Sequence, residues 1–275
     1  MELGRQAVGE ALGTFVLVLF GCGSVAVSVL FGALQGLLQV ALVWGIGVTL
    51  AIYLTRHLSC AHLNPAVSLA MVVSGRMAPR RLVPYVLSQL AGAFAAGSVL
   101  YLLFGPSIAA WEAGQGILRG APESIRSAMM FGEYYPNPAS TAVVGLPLAM
   151  TAEALGTFLL VLMIFALTEG CNVGRPDDAL APVFIGLTVS AVICLVAPLT
   201  QAGLNPARDL GPRLVSWMAG WGDAAFPDRV GGFFHVYILA PLAGGAAAAG
   251  LFTRVLEPMW NRRSGCCAKT EEAAS

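Results

Sequence analysis

Long runs of apolar residues, separated by short polar or glycine-containing stretches, dominate this chain of 275 residues. A helix needs roughly 20 mostly apolar residues to cross the hydrocarbon core of a bilayer. The chain holds six runs of about this length, near 6–29, 36–55, 82–104, 147–168, 180–200 and 232–256. A membrane β-barrel would instead show shorter segments in which apolar and polar residues alternate. The pattern therefore predicts an all-α membrane protein with six transmembrane helices.

The composition agrees with this interpretation. Hydrophobic residues make up 57% of the chain and charged residues only 11%, whereas soluble domains average about 25% charged residues. The formal net charge is zero, so the composition gives no reason to expect a nucleic-acid partner. We expect the outer surface of the helices to contact membrane lipid.

The basic residues predict the orientation of the chain in the membrane. If both termini are cytoplasmic, ten of the 15 Lys and Arg residues fall on the inner side. Cytoplasmic loops of membrane proteins carry such an excess of Lys and Arg. We therefore expect both termini to be cytoplasmic and the protein to lie in a plasma or inner membrane.

The chain contains one motif written twice. "EALGTFVLVLF" (10–20) and "EALGTFLLVLM" (153–163) match at nine of eleven positions, and Asn-Pro-Ala occurs at 64–66 and again at 205–207. Each copy holds three spans, and because three is odd the second copy enters the membrane from the opposite side, as in an inverted-topology repeat. The predicted organisation is a single transmembrane domain over 1–265, made of repeat one (about 5–104), an outer connecting loop (105–146) and repeat two (about 147–257), followed by a cytoplasmic tail (266–275).

The segment after each Asn-Pro-Ala is too short to cross a bilayer. About ten residues follow Pro65 before the next glycine, which at 1.5 Å per residue gives roughly 15 Å, half of the ~30 Å hydrocarbon core. Proline suits the first position of a helix, and an asparagine before it suits the N-cap. We therefore expect two re-entrant half-helices, one from each side of the membrane, that begin at Pro65 and Pro206 and are capped by Asn64 and Asn205.

The N-termini of these half-helices would meet near the centre of the bilayer. Irregular backbone at that depth is tolerated only inside protein or beside a water-filled cavity. A helix N-terminus carries a partial positive charge, and the amides of Asn64 and Asn205 add hydrogen-bond donors. Such a site receives a neutral solute with hydroxyl oxygens and repels cations, including hydronium. The predicted function is a pore for small uncharged molecules.

Four motifs carry a resemblance to a known family: the paired Asn-Pro-Ala, the repeated "EALGTF", "SCAHLNPAVSLA" (59–70) and "AGLNPARDLGPRL" (202–214). On these motifs the chain resembles the major intrinsic protein family, the aquaporins and aquaglyceroporins, over residues 5–257. The resemblance implies the inverted-repeat aquaporin fold and a homotetramer with one pore per protomer, without cofactor or metal. It also implies two constrictions. One lies at the Asn-Pro-Ala motifs (Asn64, Pro65, Ala66, Asn205, Pro206, Ala207), and the other is a selectivity filter of Trp44, Ile193, Ala202 and Arg208.

Several positions resemble the glycerol-conducting branch of the family, namely Phe104, Asp209, Arg213, Pro241 and Leu242. Trp44 replaces the phenylalanine, and Ile193 the histidine, that are usual in water-selective pores. An apolar wall of Trp44, Ile193 and Ala202 opposite the donors of Arg208 would suit a polyol, which has carbons on one side and hydroxyls on the other. The same four residues also resemble the plant nodulin-26-like group, so water, urea and metalloid hydroxides stay open beside glycerol.

Other residues are expected to shape the pore. Backbone carbonyls of the two re-entrant loops would line it, at Cys60, Ala61, His62, Gln201 and Gly203. Glu10 and Glu153 occupy matching positions in the two repeats. We expect each to accept hydrogen bonds from the re-entrant loop of its own repeat, because the backbone of such a loop has no ladder partners.

Two alternatives to a polyol channel remain at this point. One is a mainly water-selective channel, and the other is an ion-coupled secondary transporter built from inverted repeats. A transporter normally needs a carboxylate near the midplane for its coupling ion, whereas the groups predicted there are amides. An enzyme is not expected, because no metal-ligand spacing of His and Glu and no Ser or Cys placed with a His is found.

Overall fold

The computed structural model of the chain describes residues 2–227 and 232–264. Six helices in this part of the chain are long and apolar enough to cross a membrane, and they span Glu2–Phe31, Leu37–Ser59, Pro79–Gly114, Leu146–Thr168, Ala181–Thr200 and Phe234–Trp260. The described residues contain no strand. The predicted all-α architecture with six spans is therefore confirmed, while the predicted tail at 266–275 lies outside the described residues.

Shorter helices lie between these spans. In chain order the α-helices are α1 (Glu2–Phe31), α2 (Leu37–Ser59), α3 (Pro65–Val73), α4 (Leu82–Gly114), α5 (Ile125–Ala128), α6 (Leu146–Thr168), α7 (Ala181–Thr200), α8 (Pro206–Ser216), α9 (Ala240–Leu251) and α10 (Glu257–Ser264). Helices α3 and α8 are the two half-helices, of nine and eleven residues. Each has proline at its start and an asparagine as its N-cap, because this pair satisfies the first free N–H groups of a helix.

The packing of the helices repeats between the two halves of the chain. Helix α1 packs against α2 and α4, and α6 packs in the same way against α7 and α9. Each half-helix lies against the other repeat, α3 on α9 and α8 on α4, while α2 and α7 pack on each other. A pseudo-two-fold axis between the repeats requires that each half-helix contact the other repeat in the same way, so these contacts agree with the predicted inverted repeat.

Glycines bring the helices into close contact at matching positions. A Cβ added at Gly92 of α4 would lie 2.0 Å from the carbonyl oxygen of Ala11, and one at Gly244 of α9 would lie 2.1 Å from that of Ala154. Small residues at such crossings let two helix backbones approach each other closely. Both contacts lie at equivalent positions of the two repeats, so the helices of the two halves pack in the same way.

The connecting segment differs from its predicted form. Helix α4 continues to Gly114, ten residues past the predicted end of the third span (114 − 104), and α5 lies inside the predicted loop. The charged end of α4 is stabilised by its own surroundings, since Glu112 is buried and accepts hydrogen bonds from Arg119 (2.7 Å) and Ser127 (2.5 Å). Part of the predicted connecting loop over 105–146 is therefore helical, and polar residues that resemble a loop in the sequence are satisfied by tertiary partners.

Candidate solute pore

The two re-entrant loops have the same unusual backbone. In each loop, three residues other than glycine adopt positive φ angles. They are Cys60 (69°), Ala61 (52°) and Leu63 (55°) in the first loop, and Gln201 (63°), Ala202 (65°) and Leu204 (55°) in the second. A left-handed conformation costs a residue with a Cβ about 1–2 kcal/mol. Such backbone persists only where its surroundings hold it in place.

Two buried carboxylates supply part of that support. Glu10 accepts hydrogen bonds from the backbone N–H groups of residues 62 and 63 at 2.9 and 2.7 Å. Glu153 accepts from those of residues 203 and 204, also at 2.9 and 2.7 Å. Both side chains are completely buried. The contacts are those expected from the sequence, and whether they serve folding rather than solute selection stays a prediction.

The tips of the half-helices touch each other. The side-chain oxygens of Asn64 and Asn205 accept hydrogen bonds from the first turn of α3 (2.8 Å) and of α8 (3.1 and 3.2 Å). The side-chain nitrogen of Asn64 donates to the carbonyl of Leu204 (3.0 Å), and that of Asn205 donates to the carbonyl of Leu63 (2.8 Å). An asparagine nitrogen carries two hydrogens, so each amide keeps one N–H beyond the contact that joins the two loops.

A cavity of about 620 Å³ passes these tips. It begins among Arg56, His57 and Asp178 and ends at Arg208. The predicted site residues that line it are Trp44, Cys60, Ala61, His62, Asn64, Ile193, Ala202, Gly203, Asn205 and Arg208. A single cavity therefore contacts both asparagines and all four residues of the predicted filter.

Other predicted site residues are not part of this lining. Pro65, Ala66, Pro206 and Ala207 form the buried first turns of the half-helices. The side chain of Gln201 accepts a hydrogen bond from the backbone of Tyr134 in the connecting segment (2.9 Å). Phe104 packs on the ring of Phe31, Pro241 is buried at the start of α9, and Leu242 is partly buried beside it.

The four residues of the predicted filter lie at the Arg208 end of the cavity and are almost completely buried. Trp44, Ile193, Ala202 and Arg208 are each at most 6% exposed. The Arg208 guanidinium carbon lies 4.3 Å from the centroid of the Trp44 ring. Gly21 of α1 supports the other side of the indole, because a Cβ there would come within 2.1 Å of it. The expected arrangement, with Trp44 on a wall opposite Arg208, is therefore wrong: cation–π attraction places the two side chains in contact.

One acidic residue at this end of the cavity was not predicted from the sequence. Glu133, from the segment between α5 and α6, forms an ion pair with Arg208, and the two side chains are 3% and 5% exposed. Burial raises the pKa of the Glu133 carboxyl to about 8, against the opposing effect of Arg208. Nothing in the local pattern marks Glu133 as buried, because glutamate in a polar loop is normally exposed.

Two of the residues assigned by resemblance to the glycerol-conducting branch hold this segment. Asp209 accepts a hydrogen bond from the backbone N–H of Glu133 (2.6 Å), and Arg213 donates to the Glu133 carbonyl. Asp209 and Arg213 also pair with each other at 2.9 Å along α8, and both are buried. They therefore contact the backbone behind the filter and not the cavity.

His62 is anchored within the first loop. Its Nδ1 lies 3.3 Å from the Ser68 hydroxyl, and its ring centroid lies 5.1 Å from that of Tyr85. The residue also lines the cavity. These contacts fit a ring that holds the loop in place.

Comparison with known proteins gives consistent results. The family model described as major intrinsic protein matches residues 1–252. The chain is 40% identical to the glycerol uptake facilitator protein of Pseudomonas aeruginosa over 246 residues, 89% of this chain and 86% of that protein. It is 39% identical to the propanediol uptake facilitator of Citrobacter freundii over 252 residues, 91% of each. Among solved structures it is similar to the aquaglyceroporin from Plasmodium falciparum, with a TM-score of 0.81 and 26% identity over 94% of this chain and 99% of that one.

Proposed function

The chain belongs to the major intrinsic protein family, and from this premise we propose that it is a passive channel for glycerol and similar small polyols. It is an integral membrane protein and not an enzyme. The observation that carries the proposal is the single cavity that passes the two touching half-helix tips and reaches Arg208. The names of its relatives, which are glycerol and propanediol facilitators, support the choice of solute.

Selection against ions follows from the half-helices. Their N-termini meet at Asn64 and Asn205, so two partial positive charges face the same point of the cavity. A cation there would lose its water shell and meet only donors and positive dipoles. A neutral polyol can instead accept hydrogen bonds from the remaining amide N–H groups, which is why uncharged solutes pass and cations, including protons, are excluded.

We assign solute selection to Trp44, Ile193, Ala202 and Arg208. The Arg208 Nη1 is buried and has no protein partner, and a buried donor without a partner is costly. A solute hydroxyl that accepts from Nη1 removes this cost while its carbon atoms contact the side chains of Ile193 and Ala202. Water can take the same hydrogen bond, so the channel is expected to conduct water as well as glycerol, with urea and metalloid hydroxides as further candidates.

The remaining parts of the proposal concern assembly and placement. Helix α2 exposes apolar side chains at every fourth position, at Leu38, Leu42, Ile46, Leu50 and Leu54. Residues at this spacing form one stripe along a helix, which supports contact with lipid or with a second copy. We propose a homotetramer with one pore in each protomer, a single domain with both termini cytoplasmic, and a plasma or inner membrane location.

Stopped-flow measurements on proteoliposomes test the proposal. The wild type is expected to admit glycerol faster than empty liposomes, with flux that is linear in concentration and needs no sodium or proton gradient to drive it. Ile193→Phe, which fills the filter, is expected to reduce this flux strongly. Leu195→Phe is the matched control, because Leu195 lies on the same helix and is 59% exposed. Glycerol flux equal to that of empty liposomes, or flux that requires an ion gradient, would contradict the proposal.

A further inference from the structure

The ion pair between Glu133 and Arg208 is incomplete on both sides. Arg208 Nη2 contacts Glu133 Oε1, but Arg208 Nη1 and Glu133 Oε2 are both buried and have no hydrogen-bond partner within the protein. Arg208 lines the main cavity, whereas Glu133 lines a second cavity of about 550 Å³ bordered by the connecting segment. Glu133 therefore lies behind the filter, and it contacts the guanidinium on the side away from the main cavity.

The backbone of Glu133 is held firmly enough to fix its side chain. Asp209 and Arg213 bind its N–H and its carbonyl, and both belong to α8, the helix that also carries Arg208. The residue before it is Gly132, where an added Cβ would lie 2.7 Å from the guanidinium carbon of Arg213. The segment can approach α8 this closely only with glycine at that position. Glu133 and Arg208 are thus fixed to the same rigid element.

We propose that Glu133 determines specificity by positioning Arg208: its carboxylate holds the guanidinium against Trp44 and leaves only the Nη1 edge for the solute. This inference rests on the proposed function of the cavity. The guanidinium of an arginine offers five N–H donors on a flexible stem, and in a filter this narrow its position sets the free width. Without the carboxylate the guanidinium leaves Trp44 and enters the lumen, where it excludes glycerol more than it excludes the smaller water molecule.

A double-mutant cycle tests whether Glu133 acts through Arg208. The measured quantity is the ratio of glycerol to water permeability in proteoliposomes for the wild type, Glu133→Ala, Arg208→Ala and the double variant. Residues in contact commonly couple by an amount that corresponds to roughly a tenfold change. We therefore expect Glu133→Ala to lower the ratio about tenfold in the wild-type background and to leave it unchanged in the Arg208→Ala background.

Two further variants keep the test informative if Glu133→Ala folds poorly. Glu133→Gln retains one acceptor and the shape of the side chain but loses the charge, so it is expected to give a smaller fall in the same ratio. Gly132→Ala displaces the segment without changing Glu133 itself, and its effect is also expected to vanish when Arg208 is alanine. Glu123→Gln is the matched control, because Glu123 is an exposed glutamate of the same connecting segment.

The outcomes separate this inference from the proposed function. A wild type that does not conduct glycerol overturns the function itself. A wild type that conducts glycerol, with the ratio unchanged in all three variants at 132 and 133, overturns the role of Glu133 alone. An equal fall of the ratio in both the wild-type and the Arg208→Ala backgrounds also overturns it, because Glu133 would then act independently of the guanidinium.

Discussion

A substitution of Glu153 tests whether its carboxylate stabilises the re-entrant loop of repeat two. The carboxylate accepts hydrogen bonds from Gly203 N (2.9 Å), Leu204 N (2.7 Å) and the Thr200 hydroxyl (2.5 Å), and it is completely buried. Leucine has a similar volume and no acceptor, so Glu153→Leu leaves two backbone N–H groups buried without partners. Glutamine keeps one oxygen but turns an NH₂ donor toward the other N–H group.

The expected losses of stability follow from these contacts. A buried donor left without its partner costs about 1–3 kcal/mol, so Glu153→Leu should lose about 2–6 kcal/mol and Glu153→Gln about half of that. In a chain of this size 1 kcal/mol corresponds to roughly 2–4 °C in the midpoint of unfolding. We therefore expect the midpoint to fall by about 10 °C for Glu153→Leu and about 5 °C for Glu153→Gln.

The assay heats the detergent-solubilised protein and measures the fraction that remains monodisperse in size-exclusion chromatography. Surviving protein is reconstituted, and its ratio of glycerol to water permeability should equal that of the wild type. Glu10→Gln serves as the counterpart in repeat one, because Glu10 accepts two backbone hydrogen bonds of the same lengths. A Glu153→Gln protein with wild-type stability and an altered permeability ratio would refute the reasoning, since the carboxylate would then select solutes and not hold the loop.

Three further predictions concern the cavity and its end at Arg208. Cys60 is exposed and lines the cavity, whereas Cys22 is completely buried. A thiol-specific reagent should therefore reduce glycerol flux in the wild type and have no effect on Cys60→Ser. A reduced flux in the treated Cys60→Ser protein would contradict the placement of Cys60 in the cavity. The pKa of Glu133 is raised to about 8, so as the pH falls through that value the carboxyl takes up a proton and its ion pair with Arg208 is lost. Glycerol permeability should therefore fall from about pH 9 to about pH 6 in the wild type, and a Glu133→Gln protein with the same pH dependence would argue against this origin. Asn205→Asp adds a negative charge beside the half-helix tips and should increase cation leak, measured as potassium or proton flux; an unchanged leak would count against electrostatic exclusion.

The spans and half-helices could be predicted from the sequence because their causes are local or set by the membrane. Bilayer thickness fixes how many apolar residues a span needs, and the asparagine–proline pair at 64–65 and at 205–206 satisfies a helix N-terminus without distant partners. The two matching copies also fixed the relation between the halves, since an odd number of spans inverts the second copy. Glu10 and Glu153 could be assigned partners because symmetry places each near its own loop.

The arrangement of side chains at the Arg208 end of the cavity was set by tertiary structure alone. Glu133 meets Arg208 across 75 positions of sequence (208 − 133), and no periodicity of apolar residues reports where a charged side chain finds its counter-ion. The contact between Trp44 and Arg208 likewise depends on how α2 and α8 pack, and α4 extends past the predicted span because tertiary partners satisfy its charged end. Hydrophobic pattern records the burial of apolar surface along one element, whereas the pairing of buried charges depends on which elements the fold brings together.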